Sequence, residues 1–316
     1  MSTATSTAVS SKLPESDSAD SPDSQLSAAP TGELRYSTVS FLSDYGLQDE
    51  FVGVVKSVLH GIVPTIDVVD VTHGVKAHDV RAGGLALARA AQYLNPGVVL
   101  AVVDPGVATD RRGVAVEVGD GASILVGPDN GLLAPAVAMV GGATRAVDIT
   151  NSQFRLAAPG ATFDGRDLFA PVAAHLCRGA SLDDVGTEIN PTLLMPAVVP
   201  VCAREGDQLA AEVLWIDRFG NVQLNVGPED LLDLSPDLAL ELNSRTWPLH
   251  QTEAYDSIRS GEIGLITDSS GLLSLCVKRG SAAEELRVLE GDSVRLIPGG
   301  DAIASSTPIQ LTRRPT

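Results

Sequence analysis

The chain has 316 residues, of which 44% are hydrophobic and only 4% aromatic, and it carries a formal net charge of -18. That length allows two domains of ordinary size around a mostly aliphatic core. The acidic balance argues against a nucleic-acid partner, whose phosphates are held mainly by Lys and Arg, while it suits a cationic ligand and solubility equally well.

Residues 1–34 are Ser, Thr, Ala, Pro and Asp with almost no large apolar side chains, which predicts a disordered tail. A strand is expected from Tyr36 to Leu42, ending in Ser43-Asp44-Tyr45-Gly46. Asp49 to His60 spaces Phe51, Val54, Val55, Val58 and Leu59 as a helix face, and Gly61 to Pro64 ends it. A second strand, Ile66 to Val71, closes in Thr72-His73-Gly74. An Ala-rich helix from Asp79 to Leu94 stops at Asn95-Pro96-Gly97, and Val98 to Val103 is a third, buried strand. Strand, helix, strand, helix, strand in short succession calls for a largely parallel sheet covered by helices.

Two more strands, Gly113 to Val118 and Ser123 to Val126, precede a turn at Pro128-Asp129-Asn130-Gly131 and a short helix from Leu132 to Val140. The loop Thr162 to Asp167 leads into a helix from Leu168 to Arg178. Texture changes near 190–206, a plausible linker, and the remaining segments are short and β-rich: 208–216, 221–224, 239–242, 263–267, 272–277 and 293–297. The expected fold class is α/β, a largely parallel N-terminal sheet covered by helices and a smaller all-β, barrel-like C-terminal domain. The expected boundaries are 1–34 for the tail, 35–194 and 195–300 for the domains, and 301–316 for a flexible C-terminal tail.

Three widely spaced cysteines, Cys177, Cys202 and Cys276, form no disulfide framework or thiolate metal knuckle. No stretch has the length and purity of a membrane helix, and the start lacks a basic segment followed by an apolar one. A cytoplasmic protein without a membrane partner is therefore expected. Walker A, dinucleotide-fingerprint, paired-histidine metal and lipase-elbow patterns are all missing.

What remains is a set of carboxylates and amides in loops after apolar strands. Each alone is more often a turn former or helix cap than a catalytic group. The run Val103-Asp104-Pro105-Gly106-Val107-Ala108-Thr109-Asp110-Arg111 stands out, because it sets a carboxylate at a strand end and a guanidinium seven residues on. A turn with a surface salt bridge is the plainer reading of that run. Asp44 and Asp104, however, terminate strands that should be parallel, so they should open on one edge of the sheet, where α/β proteins do chemistry. The residues alone rank an enzyme acting on a small polar ligand first, a metal-binding carboxylate site second and a ligand-sensing module third.

Ser43-Asp44-Tyr45-Gly46, Val69-Asp70-Val71-Thr72-His73, Asp104 to Arg111, Pro128-Asp129-Asn130-Gly131, Phe163-Asp164-Gly165-Arg166-Asp167, Asp217-Arg218-Phe219-Gly220-Asn221 and Gly280-Ser281-Ala282-Ala283 follow one another in order. Together they resemble the motifs of the S-adenosylmethionine hydroxide adenosyltransferases, or S-adenosylmethionine hydrolases, relatives of the fluorinase and chlorinase. The resemblance covers about 36–298. It implies attack of water at C5′ of the ribose, releasing adenosine and L-methionine, with no metal or redox cofactor. It further implies a homotrimer whose active sites lie between the N-terminal domain of one subunit and the C-terminal domain of its neighbour.

By the same resemblance Asp44 grips the ribose hydroxyls, and Asp104 and Arg111 are two members of the hydrolytic triad. Phe219 and Asn221 face adenine, and Asp49, Asp217 and Ser269 correspond to methionine-binding positions, with His78, Asn130 and Ser270 completing the substrate-binding set. One position departs: the family histidine before Gly-Arg-Asp is replaced by Asp164, a tyrosine in the fluorinase. Two carboxylates beside one water should raise one pKa of the pair. Halide-dependent adenosyl transfer of the chlorinase type and a non-catalytic S-adenosylmethionine or adenosine binder are the alternatives. A carboxylate at Asp104 disfavours the first, because it repels an anion while it attracts water.

Overall fold

The computed structural model describes residues 33–232 and 234–299; the tails expected over 1–34 and 301–316 lie outside the described residues, save Glu33 and Leu34. In chain order the first half contains β1 (Thr38–Ser43), α1 (Phe51–Ile62), β2 (Asp67–Thr72), α2 (Val80–Ala91), β3 (Val98–Val102), β4 (Gly113–Val118) and β5 (Ser123–Pro128). There follow α3 (Ala134–Met139), β6 (Ala143–Asp148), α4 (Ala170–Cys177), α5 (Leu182–Val185) and β7 (Thr187–Ile189).

These strands form one seven-stranded sheet in the order β2-β1-β3-β5-β4-β6-β7. Pairings among β2, β1, β3 and β5 are parallel, as the alternation of strands and helices requires, and the remaining three are antiparallel. The sheet is thus mixed, with its parallel half carrying the strand ends of interest.

Burial on both faces explains the unbroken apolar run of β3. Val98, Leu100 and Val102 belong to the core under α1 and α4, whereas Val99, Ala101 and Val103 belong to the core under α2 and α3. Each such valine or leucine contributes about 1.5–3 kcal/mol by leaving water. Helix α1 turns Val52, Val55 and Leu59 inward at helical spacing. Asp79 caps α2 by accepting from the Ala82 amide at 2.8 Å, which sets the start of that helix one residue inside the expected span. Gly83 lets α2 approach closely, since a Cβ there would meet Leu132 and Val103 at 2.9 and 3.0 Å.

The helix expected over 168–178 begins differently. Residues Gly165–Phe169 form a wide π turn that runs into α4, a feature often found at functional sites. Pro171 has no N–H to offer the carbonyl four residues back. That carbonyl, on Asp167, instead accepts from the Leu156 amide at 2.8 Å. The preceding loop is thereby tied to the turn.

The second half contains β8 (Ala203–Glu205), β9 (Gln208–Ile216), β10 (Val222–Leu224), β11 (Leu238–Leu242), β12 (Arg245–Gln251), β13 (Ile263–Thr267), β14 (Leu273–Cys276), α6 (Ala282–Leu286) and β15 (Ser293–Pro298). The order β10-β14-β13-β12-β11-β15-β9 closes through a β10–β9 pairing into a seven-stranded barrel, with β8 added outside β9. Alternate residues of β9 (Leu209, Ala211 and Val213) fill its interior with Leu240, Leu265 and Leu275. The connecting segment is pinned to the first half by Asp129, which accepts from Arg112 and from the Met195 amide at 2.8 Å, while Arg112 also donates to the Leu193 carbonyl.

Candidate active site

Strands β1 and β3 end level, with Leu42 beside Ala101 and Ser43 beside Val102. The residues that follow, Asp44 and Asp104, therefore emerge on the same edge of the parallel half, as the sequence suggests. Arg111 returns after the Pro105–Asp110 turn and grips Asp104 with two bonds: Nε donates to Oδ1 at 3.1 Å and Nη2 to Oδ2 at 2.5 Å. The same Nη2 donates to Asp164 Oδ2 at 2.8 Å. All three side chains are less than one-tenth exposed. Such a bidentate pair fixes a carboxylate in both position and orientation.

Burial pushes the Asp104 carboxyl above the usual carboxylate range, against the pull of Arg111, and the charge on Asp164 adds to the rise. Burial outweighs the Asp164 charge as a cause of that rise. Asp164 does not turn back to Arg166, whose guanidinium is engaged by Asp167. Its second oxygen accepts from Arg155 instead.

An aromatic wall stands beside these charges. Tyr45 meets Phe41, Phe51 and Phe163 with ring centroids 6.4, 5.7 and 5.6 Å away. Burial first, then the charges of Asp44, Asp104 and Asp164, hold its phenol protonated far above the ordinary range. Asp44 accepts from the His78 amide at 2.8 Å; His78 sits at φ 68° and contributes its backbone there. Asn130 uses both ends of its amide on backbone, donating to the Val103 carbonyl at 2.9 Å and accepting from the Leu132 amide at 3.1 Å. It latches the 128–131 turn to the end of β3. Asp49 is exposed on the approach to α1.

Behind this edge Ser43 Oγ lies 2.8 Å from His73 Nδ1, and His73 Nε2 lies 3.0 Å from Asp70 Oδ1. Ser43 is fully buried, so this Ser-His-Asp chain has no access to a substrate. It is a satisfied polar network.

The other expected residues lie on barrel loops. Asp217 shapes its own loop, accepting from the Phe219 and Asn221 amides at 2.8 and 2.9 Å and from Asn221 Nδ2 at 2.7 Å. Phe219 is left 74% exposed at the tip. Ser269 and Ser270 occupy the β13–β14 turn, which Asp268 organises by accepting from the Ser270 amide, Gln223 Nε2 and Ser274 Oγ. Tyr255 is half-exposed, and burial first, then the charges of Cys276, Asp217 and Asp268, push its phenol above the ordinary range. Among the described residues, no hydrogen bond, ion pair or ring contact joins these loops to Asp44, Asp104 or Asp164.

Arg155 and Tyr255 escape a reading of the sequence because neither belongs to a motif. Tyr45 and Phe163 lie within motifs, as aromatic residues in a chain poor in them. Among the described residues, no cluster of three or more His, Cys, Asp or Glu is placed to hold a metal ion, and no helix is long and apolar enough to cross a membrane.

A mixed α/β sheet with a buried, arginine-clamped carboxylate at its parallel edge, followed by a closed β-barrel, defines the class of protein: an α/β half joined to a β-barrel half. Comparison with known proteins is more specific. Residues 39–186 match the SAM hydroxide adenosyltransferase N-terminal domain and residues 211–295 the C-terminal domain of the same family. The chain belongs to the SAM hydroxide adenosyltransferase family. It is 45% identical over 261 residues to an (R)-S-adenosyl-L-methionine hydrolase of Salinispora tropica, covering 83% of this chain and 98% of the relative. A fluorinase of Actinopolyspora mzabensis is 27% identical over 290 residues, covering 82% and 96%. The crystal structure of an uncharacterized conserved protein from Thermotoga maritima superposes with a TM-score of 0.75 at 32% identity, covering 82% of this chain and 99% of that one.

Proposed function

We propose that this protein hydrolyses S-adenosyl-L-methionine, giving adenosine and L-methionine by attack of water at C5′ of the ribose. The observation that carries the reading is the Asp104 carboxylate, buried at the parallel edge and held by Arg111 through two hydrogen bonds. Family membership and the 45% identity to a named hydrolase, against 27% to a fluorinase, support water over halide as the nucleophile.

The chemistry asks little of an acid. Sulfur leaves a sulfonium as a neutral thioether, so its departure needs no proton. The enzyme must place one water opposite sulfur, in line with the C5′–S bond, and relieve that water of a proton. As the oxygen–C5′ bond forms, the C5′–S electron pair passes to sulfur and a water proton passes to Asp104. Arg111 keeps Asp104 ionised and aimed. Asp164, on the same guanidinium nitrogen, takes the place of the third triad member, and Asp44 takes the ribose hydroxyls with one carboxylate oxygen beyond its bond to the His78 amide.

Adenine and methionine fall to Phe219, Asn221, Asp217, Ser269, Ser270 and Asp49. The family resemblance supports a homotrimer that completes each site with a neighbour's barrel, in keeping with the lack, among the described residues, of any hydrogen bond, ion pair or ring contact between the barrel loops and the carboxylate edge. Exposed Leu193, Met195, Val198 and Val201 in the connecting segment supply apolar surface for such an assembly. The three cysteines are free, as suits a cytoplasmic protein.

Chromatography of a reaction with S-adenosyl-L-methionine in chloride buffer, beside Asp104→Ala, tests the reading. Equimolar adenosine and methionine that vanish in the variant are expected. Formation of 5′-chloro-5′-deoxyadenosine, retention of substrate without methionine release, or full activity in the variant would each overturn it.

A further inference from the structure

We infer that Arg155 is a positioning residue for the reaction, the partner that lets an aspartate stand at 164. The inference rests on the hydrolytic reading and adds a residue to it. One guanidinium nitrogen of Arg111 serves both Asp104 and Asp164. With two carboxylates on one cation, that cluster alone would carry a net negative charge in a site less than one-tenth exposed. Arg155 donates to the free oxygen of Asp164 and brings the four side chains to neutrality. A histidine at 164 would need no such second cation.

The backbone explains how Arg155 comes to be there. Its neighbour Leu156 donates to the Asp167 carbonyl, which Pro171 leaves without its helical donor. The bond ties the 155–162 loop to the π turn that carries residues 165–169, immediately after Asp164. Arg155 itself is 38% exposed while Asp164 is 9% exposed, so the cation reaches inward from the rim. The groups facing this pair are Arg111 and Asp104 from the end of β3 and its turn, and Tyr45 from the end of β1; Arg166 is already paired with Asp167.

Removing Arg155 leaves Asp164 to draw Arg111 away from Asp104. The Asp104 carboxyl should then ionise less readily. Because Asp104 must be ionised to take the water proton, the acid limb of kcat/KM should move to higher pH, by about one unit, the low end of what a neighbouring opposite charge does to a carboxyl. The rate at neutral pH should fall on the order of tenfold to a hundredfold, the scale of losses when a reacting group is misplaced.

The test is the pH profile of adenosine formation by native protein, Arg155→Ala and Arg155→Lys, with Arg155→Ala repeated on an Asp164→His background. The limb should rise in Arg155→Ala and return in Arg155→Lys, and the fold loss from removing Arg155 should be smaller beside histidine than beside aspartate. A lower kcat with an unmoved limb, or equal losses on the two backgrounds, would assign Arg155 to loop structure alone and overturn the inference. Carboxyl carbon-13 titration of the free protein, with Asp104→Asn to assign the signal, reads the clamp without turnover: Asp104 should titrate higher in Arg155→Ala. If native protein makes no adenosine, the hydrolytic reading fails by itself, and an unchanged Asp104 titration in Arg155→Ala separately refutes the pairing.

Discussion

The hydroxyl of Tyr45 fills the place that a β-carbon on residue 165 would take, so Gly165 and Tyr45 are sterically complementary. Tyr45 is packed against Phe41, Phe51 and Phe163. The π turn can therefore close beside Asp164 only if residue 165 lacks a side chain. Gly165→Ala should destabilise the protein by about 1–3 kcal/mol, the usual cost of overpacking, and depress adenosine formation by tilting Asp164. Adding Tyr45→Phe should recover part of that loss, because the hydroxyl is the atom in the way. Urea unfolding of the four proteins in this cycle decides the matter, and strictly additive losses would refute the clash.

The pH dependence of the reaction follows from Asp104. Its carboxyl lies above the usual range because of burial, countered by Arg111 and aided by Asp164. The ionised form is the active one, so kcat/KM should rise with pH through a limb placed above the ordinary aspartate value of about 3.9. Asp164→His removes a like charge and should shift that limb downward. Superimposable profiles for the two proteins would show that the residue at 164 does not act on the ionisation of Asp104.

Much of this site is legible in the chain, and the physical reason differs by residue. Asp44 and Asp104 can be joined from the order of residues alone, since strand alternation demands a parallel pair whose ends coincide. β3 is readable because burial on both faces makes an unbroken apolar run. β12 is not: Arg245–Gln251 has no buried residue and contains Pro248, yet it pairs with both β11 and β13. β6 and β7 escape because Ala143–Asp148 buries only Ala146 and Val147, and Thr187–Ile189 buries nothing. Arg155 is invisible for another reason. Its placement depends on the Asp167 carbonyl, which Pro171 frees much further along the chain and which then accepts from Leu156. Nothing local to Arg155 encodes that.

Subunit sharing can be read directly from activity. Asp104→Ala damages the sheet edge, and Phe219→Ala damages the exposed barrel loop. If each site draws on two subunits, co-expressed mixtures of the two variants should contain some sites built from an intact edge and an intact loop. Adenosine formation by the mixture should then exceed that of either variant at the same protein concentration. Activity no greater than the average of the parents would locate the whole site within one chain.

Asn130 offers a separate test of how the reacting carboxylate is held. Its amide nitrogen serves the Val103 carbonyl and its oxygen the Leu132 amide, and Val103, fully buried, directly precedes Asp104. Asn130→Ala strips both partners at once in a place where water cannot fully replace them. Each buried group left unpaired costs about 1–3 kcal/mol, so the midpoint of urea unfolding should fall clearly. The loss should also reach the reaction, because the end of β3 sets the direction of Asp104 and a small displacement of a general base lowers the rate steeply. KM should change less than kcat, since both ends of the Asn130 amide are committed to holding the backbone beside Asp104. A variant with native kcat and raised KM would instead show that Asn130 touches the substrate itself.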